Sequence, residues 1–278
     1  MKPVKTVAFI GLGQMGRPMS AHLEKAGFAV RSFDLNGRGN CVSAAEAARG
    51  ADVFLTMLPD GRAVRESVLG AELPRGMLVL DMSSSDPVGT RELGKELAAR
   101  GVGLVDAPVS GGVKRALDAS LAIMVGGDEP APIERARPLL EKMGGKIFLT
   151  GPLGSGHAMK ALNNYVSAAG LAATCEALAA GARFGLDPAV MTDILNVSSG
   201  RTNTSEVKVK AFMLSGAFNS GFSTALMVKD IATAVSLAEA MGFDAPLAHR
   251  CVELWKDAAG RLGGGADHTE YYRFAKGE

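Results

Sequence analysis

With 278 residues, 47% of them hydrophobic and 21% charged, the chain can bury a large core and divide into two domains. Its formal net charge of +1 gives no field to draw polyanions, which argues against nucleic acid or an anionic membrane as partner. Cys41, Cys175 and Cys251 lie far apart without paired metal spacing, so they read as packing thiols of a reducing compartment, and no metal is expected.

In chain order, Met-Lys-Pro-Val-Lys runs straight into the apolar stretch Thr6–Ile10, which is too short for a signal-peptide core and lacks a small-residue cleavage site, so a cytoplasmic protein is expected. Short apolar runs then alternate with helical patterns. Val7–Ile10 leads into a helix from about Met15 to Lys25, followed by strands at Ala29–Phe33, Val53–Leu58, Leu78–Asp81 and Leu104–Ala107. The runs at 53–58 and 77–80 are continuous instead of alternating, as expected of parallel strands covered by helices on both faces. Ala122–Val125 and Lys146–Leu149 can add strands, and the sheet is expected to end near Gly151. Beyond it the pattern is helical only. A long helix to about Phe184 carries too many polar groups to lie in lipid, among them Lys160, Asn163, Asn164, Glu176 and Arg183. Asp187 is a plausible N-cap for a helix at Pro188–Asn196, and helical spacing recurs at Asp230–Met241 and Pro246–Leu262. The fold expected is α/β, a Rossmann-type doubly wound parallel sheet over residues 1–155, followed by an all-helical domain over 156–278 reached through a long helix.

Directly after the first strand comes Gly11-Leu12-Gly13-Gln14-Met15-Gly16. Glycines at this spacing permit a tight turn, a close approach of backbone to a pyrophosphate and close packing of helix on sheet. Asp34, about 20 residues on at the end of the second strand, supplies the acid that accepts ribose hydroxyls and repels a 2′-phosphate, so NAD is favoured over NADP. The alternative is that Asp34 only starts the turn with Asn36 and Gly37, with Arg31 and Arg38 softening the repulsion. Further on, hydroxyls follow a buried strand in Asp81-Met82-Ser83-Ser84-Ser85. In Asp106-Ala107-Pro108-Val109-Ser110-Gly111-Gly112, two glycines after a serine form either a nest of N–H groups for a carboxylate or an ordinary glycine turn. On the long helix, Lys160 lies within one turn of Asn163 and Asn164. A lysine on an apolar helix either serves proton transfer or snorkels to water.

Together these residues resemble the beta-hydroxyacid dehydrogenase family. The motifs are the glycine loop at Gly11, the Asp106–Gly112 segment, the Gly-x-Gly-x-x-x-Lys-x-x-Asn-Asn pattern ending at Asn164, and Lys229-Asp230 preceded by Phe222. The resemblance implies hydride transfer between nicotinamide and a small 3-hydroxyisobutyrate-like acid, in a homodimer or homotetramer assembled through the helical part. It implies that Met57, Leu58 and Pro59 lie beside the adenosine and Ser84 near nicotinamide. Ser110, Gly111 and Gly112 correspond to the substrate-carboxylate loop, Lys160 to the catalytic lysine, and Asn164, with Asn163, to the amide that holds substrate. Phe222, Lys229 and Asp230 correspond to the part of the helical domain that closes over cofactor and substrate. Asn196–Arg201 resembles the 3-hydroxyisobutyrate branch, whereas Thr202–Ser220 departs from its usual sequence. Imine reductases share the architecture but generally lack a lysine at position 160. The rival readings are a reductase of a small semialdehyde acid, such as tartronate or succinic semialdehyde, using the same residues, and a non-catalytic NAD-binding regulator.

Overall fold

The computed structural model describes residues 3–278; Met1 and Lys2, at the head of the N-terminal run considered above, lie outside them. The chain divides into two compact units, one running to Lys160 and the other spanning Ala161–Glu278.

In the first unit, β1 (Thr6–Ile10), α1 (Gly16–Lys25), β2 (Ala29–Phe33), α2 (Ala44–Ala48), β3 (Val53–Thr56), α3 (Gly61–Gly70), β4 (Leu78–Asp81), α4 (Pro87–Ala99) and β5 (Gly103–Asp106) form repeating β–α units. The sheet order is β2-β1-β3-β4-β5, all parallel, so the chain winds outward in both directions from β1. β3 and β4 are buried at every residue, which is why their sequences do not alternate, whereas β2, at the edge, has partly exposed positions. Helices start where a side chain takes an orphan N–H: Asp60 accepts from Ala63 N, and Asp86 accepts from Gly89 N. Two cores, one on each face of the sheet, are centred on Phe9, Leu55 and Leu80 and on Phe54, Val79 and Leu97.

Past β5 the pairing is no longer all parallel. A two-residue strand, β6 (Val109–Ser110), and β7 (Leu121–Gly126) pair antiparallel across the short helix α5 (Gly112–Leu117), and β7 also meets β5 antiparallel at Asp106. The connection from Ser110 to Leu121 is shorter than the dozen or so residues of a parallel crossover, so the chain can only turn back. After α6 (Pro130–Met143), β8 (Gly144–Gly151) restores parallel pairing, with β7. β3 stops at Thr56, so Met57 and Leu58, expected in the strand, belong to the following turn.

α7 (Ser155–Phe184) begins in the first unit and continues through the second. It is long and apolar enough to cross a membrane, but 44% of the qualifying window is buried. Its Leu171, Cys175 and Leu178 pack into the core of the second unit with Met213, Ile231, Trp255 and Tyr271. α8 (Pro188–Val197) is capped by Asp187, which accepts from Ala189 N. α9 (Thr224–Ala240) starts ahead of the expected Asp230, because Ser223 accepts the Leu226 N–H and caps it there. α10 (Pro246–Leu262) and α11 (Tyr271–Lys276) complete the unit. Residues Thr204–Leu214 form a π-helix, within the stretch that departs from the family's usual sequence. Reciprocal bonds between Thr202 and Ser205, each hydroxyl accepting the other's backbone N–H, cap its start, and the Glu206 N–H bonds Thr202 O at 3.0 Å.

Candidate active site

The three loop glycines answer to different demands. A Cβ on Gly11, whose φ is +98°, would stand 2.3 Å from Met57 O, and one on Gly16 would stand 1.9 Å from Gly11 O, so both are fixed by packing. A Cβ on Gly13 would meet nothing within 4 Å. The protein itself has no need of glycine there, whereas a ligand approaching the backbone does. Beside it, α1 starts without a side-chain cap and without an acid in its first turn, leaving the partial positive charge of its start available to an anion. A dinucleotide pyrophosphate fits this cradle.

Asp34 lies at the mouth of the same loop and is buried. One carboxylate oxygen accepts the Leu12 N–H at 2.8 Å and the other the Asn36 N–H at 2.9 Å. The half-exposed Arg38 bonds both oxygens, at 2.9 and 3.2 Å. Burial opposes its ionisation, but the Leu12 N–H, the Arg38 guanidinium and the Asn36 N–H outweigh it and hold the carboxyl below its ordinary range. Arg38 is a participant that sequence reasoning named only as a modifier of Asp34.

At the C-terminal edge of the sheet, Asp81 and Asp106 end β4 and β5 as directly paired neighbours, both buried. Asp81 accepts from Thr56 Oγ1 at 2.9 Å, Ser83 N at 3.0 Å and Ser85 Oγ at 2.8 Å, which brackets Ser84 between two fixed serines. Ser83 Oγ in turn accepts the Leu58 N–H at 2.9 Å, tying the Met57–Pro59 turn to the serine loop. Asp106 accepts the Gly154 N–H at 2.7 Å and the His157 N–H at 2.9 Å, so a carboxylate from β5 caps the first turn of α7. Lys160, half-buried, follows one helical turn later.

From the end of β5 the chain passes through Ser110, in β6, to Gly111 and Gly112 at φ of +134° and +66°, a pair of values that L side chains rarely adopt. The Arg115 side chain packs against the Cβ position of Gly111, while that of Gly112 is open. Ser84, Ser110–Gly112 and Lys160 are therefore all carried by the first unit, on segments that follow β4, β5 and β8.

The second unit holds the remaining expected residues. Asn164 Nδ2 donates to Asp230 Oδ2 at 2.5 Å, Asn163 Nδ2 donates to Asn164 Oδ1 at 3.1 Å, and Lys229 Nζ pairs with Asp230 at 3.0 Å. Asn163, Asn164, Lys229 and Asp230 thus form one polar cluster joining α7 to α9. Phe222 stands apart from it, before α9, edge-on to His268 at 5.6 Å between ring centroids, with its carbonyl bonded by His268 N and Nδ1. Among the described residues no group of three or more His, Cys, Asp or Glu could hold a metal ion. The residues that sequence reasoning passed over are His157, Thr90 and the two strand-end carboxylates as structural partners. The available signal for His157 was a histidine three residues before Lys160 on an apolar helix.

Comparison with known proteins agrees with this layout. Residues 6–151 match the family model described as the NAD binding domain of 6-phosphogluconate dehydrogenase. Residues 154–275 match that described as NAD-binding of NADP-dependent 3-hydroxyisobutyrate dehydrogenase. The chain is 38% identical over 262 residues to a 3-hydroxyisobutyrate dehydrogenase of Pseudomonas aeruginosa, covering 87% of this chain and 88% of the relative. It is 36% identical over 274 residues to an NAD-dependent L-serine dehydrogenase of the same organism, covering 91% and 92%. The solved 3-hydroxyisobutyrate dehydrogenase of Mycobacterium tuberculosis with L-serine superposes with a TM-score of 0.88 at 37% identity, covering 98% of this chain and 99% of the other.

Proposed function

The chain belongs to the beta-hydroxyacid dehydrogenase family, and we propose that it uses NAD to oxidise a small beta-hydroxy acid of the 3-hydroxyisobutyrate or L-serine kind, with Lys160 as general acid and base. It is an oxidoreductase acting on CH–OH groups of small hydroxy acids. The observation that carries the reading of the site is the position of Lys160. It stands one turn above the carboxylate-capped start of α7, in the same unit as Ser84 and the Ser110–Gly112 turn.

When bound, the nicotinamide supplies the hydride acceptor. The chain's own residues do the rest. Amides of Gly111 and Gly112, with the Ser110 hydroxyl, receive the substrate carboxylate. Lys160 Nζ takes the hydroxyl proton during oxidation and returns it to the developing alkoxide during reduction, so one group serves both directions. Asn164, oriented by Asp230 and Asn163, holds the substrate hydroxyl region. NAD over NADP is supported by the carboxylate of Asp34 at the ribose end of the loop. An assembly through the helical unit is supported by Val190, Ile194 and Val197, exposed at helical spacing along α8 with Phe184 nearby in sequence, so we place the protein as a homodimer or homotetramer. The three free thiols accord with a cytoplasmic setting.

The test is a panel of 3-hydroxyisobutyrate, L-serine, tartronate semialdehyde and succinic semialdehyde, followed by NADH absorbance with both cofactors in both directions. Lys160→Ala is expected to bind NAD normally and to lose about 10²- to 10⁴-fold in turnover. A variant keeping more than about a tenth of the wild-type rate, far above that range, makes Lys160 a snorkelling lysine.

A further inference from the structure

We infer that His157 is a positioning residue for Lys160, locking the first turn of α7 onto the strand-end carboxylates and α4; the inference rests on the reading of Lys160 as acid and base. His157 is 1% exposed. Its Nδ1 lies 2.9 Å from Thr90 Oγ1 on α4, and its Nε2 lies 3.5 Å from Asp81 Oδ2. The same Nδ1 is 3.8 Å from Asp106 Oδ2, the oxygen that takes the His157 backbone N–H. Thr90 Oγ1 also lies 2.8 Å from Asp86 O: a hydroxyl that donates there accepts from the imidazole Nδ1–H, and one that turns to Nδ1 leaves the ring proton on Nε2, toward Asp81, so the His157–Thr90 tie exists in either tautomer.

The surrounding fold does not require this ring. Asp81 is satisfied by Thr56, Ser83 and Ser85, and Asp106 by Gly154 N and His157 N, all without the imidazole. An apolar side chain would fill the space, and a buried polar ring costs free energy unless it makes a needed contact. What the ring adds is a tie against rotation. Two N–H bonds to Asp106 fix where α7 begins, but bonds at the helix end leave the angle of its first turn about the axis less closely set. The His157–Thr90 bond sets that angle from the side. Lys160 lies three residues on, hence on the same face and about 4.5 Å along the axis, with Asn164 a further turn up. An error of angle at His157 is therefore carried directly to Lys160.

The experiment is a cycle of variants, with 3-hydroxyisobutyrate and L-serine as substrates, reading kcat, KM, NAD affinity by fluorescence titration, and a melting curve. His157→Ala is expected to lower kcat by about a hundredfold, the effect of roughly 1 Å of misplacement, while NAD affinity holds. His157→Asn, whose side-chain amide can bond Thr90 as donor or acceptor, should recover most of that loss. In the Lys160→Ala background the effect of His157→Ala should vanish, because a residue that works only through Lys160 has nothing left to position. Thr90→Val keeps the volume and the ring but removes the bond. It should reproduce about a tenfold part of the loss, and it decides the matter should His157→Ala not fold. Additive losses in the double variant, an asparagine variant no better than alanine, or an unimpaired His157→Ala beside a slow Lys160→Ala each overturn the inference alone. A fast Lys160→Ala enzyme removes the reading of Lys160 and this inference with it.

Discussion

At the scale of single residues, cofactor choice is expected to turn on Asp34, whose oxygens are already engaged by Leu12, Asn36 and Arg38. A ribose can share that carboxylate only as the half-exposed Arg38 yields, and an Arg38 released from it could meet a 2′-phosphate. The wild type is expected to use NAD more efficiently, and Asp34→Ala to shift kcat/KM toward NADP. Arg38→Ala should preserve NAD use and remove what NADP use there is. Comparing both cofactors on the three proteins checks this, and a wild type that favours NADP refutes the assignment. Ser110 is expected to act through substrate binding, so Ser110→Ala should raise KM for the acid and leave NAD titration unchanged. Equal loss of both would place Ser110 elsewhere. The chemical types of these residues were legible in the sequence, but the occupation of Asp34 by Arg38 was not. Four residues of separation cannot tell whether a turn folds the guanidinium back onto the acid.

Elements add what residue types leave open. The glycine loop yields a contrast between two substitutions that look alike in sequence. Gly16→Ala would bring its Cβ to 1.9 Å from Gly11 O, a backbone atom that cannot swing away, so α1 must shift. A loss of about 1–3 kcal/mol is expected in the melting curve, as for other overpacked sites. Gly13→Ala meets nothing within 4 Å and should melt like the wild type, yet bind NAD more weakly if the backbone at Gly13 is where the pyrophosphate approaches, as the glycine spacing leads one to expect. Equal destabilisation by both would show that Gly13, too, is a packing glycine. Helix starts at Pro188 and Pro246 were legible because local signals such as proline at the first turn and Asp187 set them. The reversal at β6 and the π-helix at Thr204–Leu214 were not. The first depends on how short a connection must close against β7, and the second on a backbone pairing that side-chain periodicity does not register.

For the whole molecule, acid should act first on the helical unit. Burial, aided by the charge of Lys208, pushes His268 down from 6.5 to about 4. The unfolded chain therefore binds that proton more readily, and the contribution is full above pH 6.5 and lost as pH falls toward about 4. The window is worth on the order of 3 kcal/mol at 1.36 kcal/mol per pH unit. Burial opposes ionisation of Asp267, but bonds from Thr269, Ser220 and Gly221 hold it below its ordinary 3.8, adding a loss at still lower pH. Trp255, the chain's one tryptophan, is fully buried in this unit and reports its unfolding by fluorescence. Urea midpoints should fall between pH 7 and 4.5 in the wild type and more shallowly in His268→Gln; parallel slopes would assign the acid sensitivity to other groups. The sequence by itself determined the order of β–α units, the glycine loop between β1 and α1, the change to helices after Gly151 and the place of Lys160 near the start of the long helix, because periodicity, glycine spacing and caps act over one or two turns of chain. Only the tertiary structure decided that Asp81 and Asp106 stand side by side, that Asp106 caps α7, and that His157 reaches Thr90. Those partners are 25 to 67 residues apart, and their meeting is set by strand order and the packing of helix on sheet, which no local pattern encodes.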